Sequence, residues 1–150
     1  MLNAQRILVL TVFWLSLFPA AFGSDCTKVS GGIVATVPSS DSALGAVTGD
    51  LEGGVRATFS ATPQSDGSIT LTLHHLFVTE GGDTLQTVDV GTLTPVSGMP
   101  GVFRMAVSYT ITGGSGKFAG ATGTLANHGE ANLTSGQLTL RYKGTVCPMK

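Results

Sequence analysis

The chain has 150 residues, a formal net charge of −1 and only 11% charged residues. No basic cluster stands out, which excludes a nucleic-acid-binding reading built on charge. The length suits one small domain, and 21 glycines with many threonines and no long window of helical period point to an all-β chain.

The first segment is a targeting signal by pattern. Arg6 precedes an apolar run from Ile7 to Phe18, then Pro19 and the small residues ending Ala21-Phe22-Gly23. That order is the charged region, apolar region and cleavage site of a secretory signal peptide, so residues 1–23 are expected to be removed and residues 24–150 to form the domain, secreted or periplasmic. A membrane anchor needs about 20 apolar residues, longer than this run. A lipoprotein would place its cysteine directly after the small residues, whereas Cys26 lies further on. Nothing after the signal predicts membrane association. Cleavage leaves seven basic and nine acidic side chains and removes Trp14, the only tryptophan, so the core is mostly aliphatic.

Alternation of apolar and polar residues, broken by Gly, Pro, Asp and Ser, divides the domain into eight strand-like runs. They are Thr27 to Val37, Leu44 to Leu51, Val55 to Ala61, Ser68 to Val78, Thr84 to Leu93, Val102 to Thr112, Ala121 to Leu133 and Gln137 to Val146. Short connections favour antiparallel neighbours, because a parallel crossover needs a dozen or more residues. The fold expected is a single eight-stranded antiparallel up-and-down β-barrel, closed so that no edge is left bare. Closure brings the first and last strands together, with Cys26 and Cys147 at the same end. An even pair in an exported chain reads as a disulfide, and two cysteines fall short of a metal ligand set.

The faces follow from the period. Ile69, Leu71, Leu73, His75 and Phe77 share one side of the fourth run, and Phe103, Met105, Val107, Tyr109 and Ile111 one side of the sixth. Val55, Ala57, Phe59 and Ala61, and Leu138, Leu140, Tyr142 and Val146, repeat the pattern. Arg56, Arg104 and Arg141 lie on the opposite, outward side. In a closed barrel the apolar side is the lumen. The polar groups expected there are His75, Tyr109 and Tyr142, with Asp89 joining them if Leu85 and Thr87 point inward. Val88 and Val90 argue for the other orientation of the fifth strand. Asp50 and Glu52 share a face opposite Val47 and Leu51 and are expected in water.

The corner from Tyr109 to Gly123, YTITGGSGKFAGATG, holds five glycines in eleven residues. It fails as a P-loop, since Ile111 stands at the first glycine position and Phe118 where Ser or Thr is needed; the dinucleotide and nucleophile-elbow spacings fail as well. It reads as a structural turn. His74 and His75 point to opposite faces and cannot share one ion on a regular strand, so neither a metal site nor a cofactor is expected. Asn132 opens a formal glycosylation sequon to which no role is attached.

YTITGGSGKFAGATGTL resembles the glycine-rich turn and following strand of the allene oxide cyclase-like barrels, the group that includes dirigent proteins and many exported bacterial domains. TGDLEG at Thr48 to Gly53 and GGDTLQTVD at Gly81 to Asp89 fall where such domains carry similar segments. The resemblance spans roughly Leu44 to Cys147. It implies an eight-stranded barrel with a ligand-accessible interior, and plant members that guide cyclisation or coupling of reactive small molecules. Those enzymes assemble as trimers through barrel exteriors, which the polar outward positions here do not indicate. Their lumen groups have no assignable counterpart in this chain, and fold does not fix function.

Two readings of function result. One is an exported binding or structural module with an apolar interior, holding a small apolar ligand through His75, Asp89, Tyr109, Tyr142, Phe59 and Met105. The other is a cyclase or isomerase acting on a reactive apolar molecule in the lumen, which needs a cavity of roughly 300 Å³ or more with a few convergent polar groups. A lipocalin- or avidin-like carrier shares the strand count but fits the glycine corner less well. The sequence leaves open whether the chain is an enzyme.

Overall fold

The computed structural model describes residues 25–147. The signal segment expected over residues 1–23 lies outside the described residues. Eight strands follow one another: β1 (Thr27–Ser39), β2 (Ser42–Gly49), β3 (Gly53–Pro63), β4 (Ile69–Thr79), β5 (Thr84–Pro95), β6 (Val102–Gly114), β7 (Thr122–Asn132) and β8 (Gln137–Cys147). Each pairs antiparallel with its sequence neighbour, and β1 pairs with β8 to close the barrel. The up-and-down order and closure are those expected, and most strand ends fall within two residues of the alternation boundaries.

Closure rests on a ten-pair ladder from Thr27↔Val146 to Thr36↔Gln137. The Cys26–Cys147 disulfide ties the outer end of that seam across a sequence separation of 121. This end also carries the β2–β3, β4–β5 and β6–β7 connections, and the opposite end the other four. Because strands alternate, every strand sends one row of side chains inward, and these rows form one continuous core.

The fifth strand resolves in favour of Asp89. Leu85, Thr87, Asp89 and Leu93 are buried, while Val88 and Val90 are 42% and 62% exposed. β-Branched residues suit a strand on either face, so the two valines report strand propensity and not direction. Gly91 shows the inward crowding: a Cβ there would stand 2.8 Å from the Val107 side chain.

The glycine corner is more structured than a plain turn, since Gly116–Phe118 forms one turn of 3-10 helix. Phe118 is buried there and caps the lumen beside Ala121. Gly113 adopts a φ of 139°, open to glycine, and Gly114 faces the Thr84 carbonyl so closely that a Cβ would sit 1.9 Å from it. Outside the barrel, Arg56, Arg104 and Arg141 are exposed, as are His74, Asp50 and Glu52. The Asp50 carboxylate accepts the Ser30 N–H at 2.7 Å.

Candidate functional site

The lumen divides into two halves that differ in side-chain size. Towards the disulfide end, Leu51, Phe77, Leu85, Ile111, Phe118 and Leu125 are all buried and fill the interior. In the other half Ala35, Ala43 and Ala57 occupy inward positions, and the space they leave is a cavity of about 200 Å³. Leu71, Leu73, Phe59, Met105 and Leu140 are among its walls, and Ser40 and Leu133 reach it from the β1–β2 and β7–β8 connections. His75 and Tyr109 also line it, one inward step deeper than Leu73 and two deeper than Met105. An apolar tube thus ends on a polar floor.

That floor is a belt of polar side chains carried by neighbouring strands. β4 contributes His75, β5 Thr87 and Asp89, β6 Tyr109 and β7 Asn127; His75 pairs with Thr87, and Asp89 with Tyr109, across the sheet. His75 Nδ1 lies 2.6 Å from Asp89 Oδ2, and the Thr87 hydroxyl donates to the same oxygen at 2.9 Å. With Nδ1 protonated, His75 donates to the carboxylate and its Nε2 is left without a hydrogen bond among the described residues. Asp89 has a fully buried side chain, whereas that of His75 is 9% exposed. The His75 ring is further held by Phe77, with centroids 5.9 Å apart, and by Tyr109 at 4.8 Å.

The Asn127 amide donates to the Tyr109 hydroxyl. Burial pushes the Tyr109 hydroxyl pKa well above its ordinary value and the Asp89 charge pushes it further, while the Asn127 bond opposes both. Tyr109 is therefore a neutral phenol in this belt. Asp89 Oδ1 and Asn127 Oδ1 are buried without a protein partner among the described residues, which marks the belt as acceptor-rich.

Four of the six lumen candidates, His75, Tyr109, Phe59 and Met105, line the cavity. Asp89 stands behind His75 and meets the cavity only through it. Tyr142 is buried in the core opposite Asn127 on β7 but does not line the cavity: its hydroxyl accepts the Leu51 N–H at 2.9 Å and donates to the Thr48 carbonyl at 3.0 Å. Asn127 and Thr87 are the members that sequence reading did not single out. Asn127 was detectable, because Leu125 and Ala131 share its side of β7 and both are apolar.

The cavity reaches His75 and Tyr109, as the enzymatic reading requires, but at about 200 Å³ it is smaller than the roughly 300 Å³ typical of ligand pockets. The interior is neither filled nor spacious. Among the described residues no group of three or more His, Cys, Asp or Glu is arranged to hold a metal ion.

The architecture defines the protein as a closed eight-stranded antiparallel barrel with a half-open lumen. No protein-family model matches the chain, and no curated protein matches it. Among solved structures it is similar to a pterocarpan synthase dirigent protein, at 18% identity over 93% of this chain and 100% of that chain, with a TM-score of 0.34. A likeness at that level carries no argument about activity, and the fold assignment rests on the strand pairing itself.

Proposed function

We propose that the protein is an exported barrel that binds a small apolar molecule in the open half of its lumen. The observation that carries this reading is the pairing of alanine-made space with a floor of fixed polar groups. Ala35, Ala43 and Ala57 keep open a cavity that larger inward side chains would narrow, and His75 and Tyr109 stand where they can orient an occupant. Binding sites combine a mostly apolar lining with a few placed polar groups in this way. Export is supported by the signal pattern and by the Cys26–Cys147 disulfide, a bond that persists in oxidising compartments.

A second reading, a cyclase or isomerase in the same lumen, is favoured by one observation, the His75–Asp89 contact at 2.6 Å. It shares the binding step and adds chemistry to it.

Native mass spectrometry of protein purified from its host, together with melting temperatures measured against small aromatic probes such as nitrobenzene and indole, tests the binding reading. A co-purifying molecule, or a probe-induced rise in melting temperature that Ala43→Leu reduces, is the expected result. An unliganded protein whose melting temperature no probe changes, or a rise that Ala43→Leu leaves intact, overturns it.

A further inference from the structure

The cavity floor carries more than an orienting group. Three contacts fix the His75 ring: the 2.6 Å bond from Nδ1 to Asp89, the near-parallel Phe77 ring at 24°, and the tilted Tyr109 ring at 54°. Asp89 is itself held by the Thr87 hydroxyl, and its side chain is wholly buried. A buried carboxylate gains most from a neighbouring positive charge, and His75 is the cavity residue that can supply one by accepting a proton. Nε2 is the ring nitrogen free to accept it. Tyr109, kept neutral by burial and by Asp89, does not compete as an anion.

We propose that the lumen is a proton-abstraction site, in which His75 Nε2 acts as general base towards a small, flat, neutral carbon acid and Asp89 is the positioning residue behind it. This rests on the reading of the lumen as a ligand site. The substrate class follows from the walls. An apolar cavity of about 150 Å³ accepts benzene, so about 200 Å³ admits a flat molecule somewhat larger. Among the described residues no lysine or arginine lines the cavity to pair with an anionic ligand, which makes a neutral molecule the fitting occupant. Held there, the base is shielded from bulk water, and its orientation is set before the ligand arrives.

The probe is 5-nitrobenzisoxazole, which reports proton abstraction from carbon directly. Nε2 takes the proton on the ring carbon beside nitrogen, the C–H electrons complete a nitrile, and the N–O bond breaks. The oxygen keeps that bond's electrons and leaves as a coloured phenolate. The imidazolium then returns its proton to solvent, so atoms and charge balance with no further reactant. Nitrobenzene, which has no such proton, reports binding alone through the melting temperature.

Turnover about 100-fold or more above that of free imidazole at equal concentration is expected, in keeping with a positioned general base. His75→Gln should abolish turnover while an unchanged far-ultraviolet spectrum and a cooperative melting transition show that the variant is folded. Asp89→Asn should lower kcat about tenfold or more at unchanged KM, a split that a merely structural role would not give, and Ala43→Leu should raise KM by narrowing the cavity. Nitrobenzene binding without turnover, or turnover that survives His75→Gln, overturns the proton-abstraction site and leaves the ligand site standing. Failure of both probes to engage the wild-type protein overturns the ligand site, and this inference with it.

Discussion

The Tyr142 hydroxyl accepts the Leu51 N–H at 2.9 Å and returns a hydrogen bond to the Thr48 carbonyl at 3.0 Å, so one β8 side chain holds the end of β2 and the turn that follows it. Gly31, the cross-strand partner of Tyr142 on β1, makes room for the ring; a Cβ there would stand 2.6 Å from the hydroxyl. Leu51 is buried, so its N–H has no ready substitute in water. Tyr142→Phe should therefore cost about 1 to 3 kcal/mol, the penalty of a buried donor left unpaired. A lowered urea midpoint at unchanged slope checks this, with nitrobenzene binding unaffected because Tyr142 lies outside the cavity wall.

Alkaline pH should destabilise the barrel through its buried phenol. The Tyr109 pKa is raised in the folded state above its ordinary 10.0, by burial first and by the Asp89 charge second. The unfolded chain then loses this proton at lower pH than the folded one. The contribution of Tyr109 is fully present below about pH 10 and is lost as pH rises from there through the folded value, at up to about 1.4 kcal/mol per pH unit. Stability measured from pH 9 to pH 11 should fall more steeply for the wild type than for Tyr109→Phe.

Two adjacent glycines should separate conformational strain from steric conflict. At Gly113 the φ of 139° is unfavourable for a side chain, yet a Cβ would meet nothing within 4 Å. At Gly114 the Cβ would be driven against the Thr84 carbonyl at 1.9 Å, a backbone atom that accepts the Ser115 N–H at 2.9 Å. Gly113→Ala should cost on the order of 1 to 3 kcal/mol, and Gly114→Ala should cost more. Melting temperatures of the two variants give the order.

Reduction should weaken the barrel without opening its seam. The Cys26–Cys147 bond closes a loop of 121 residues in sequence separation, so the chain-entropy treatment gives about 4 to 5 kcal/mol, acting on the unfolded state. The ten-pair β1–β8 ladder remains in the folded one. Denaturation with and without reductant should show that loss, while the far-ultraviolet spectrum below the transition stays unchanged.

Much of the fold was legible because a period of two is a local property of the chain. Phe103, Met105, Val107, Tyr109 and Ile111 declare the inward side of β6 unaided, and short connections leave antiparallel neighbours as the economical arrangement. Where both faces carried β-branched or apolar residues the local signal failed: Val88 and Val90 point out although their side chains suit a core. The 3-10 turn at Gly116–Phe118 was similarly hidden, since glycine-rich sequence permits many conformations and dictates none.

The candidate site was legible as parts but not as an assembly. By itself the sequence determined that His75 and Tyr109 face inward and that Asp89 could, because facing depends only on position along a strand. Only the tertiary structure decided that Asp89 bonds to His75 at 2.6 Å, that Asn127 joins Tyr109, and that Tyr142 serves the opposite half of the barrel. Those contacts depend on register between strands, which is fixed by barrel closure. The cavity is likewise a tertiary quantity: Ala35, Ala43 and Ala57 are unremarkable singly, and they enclose about 200 Å³ because the barrel places all three in its open half.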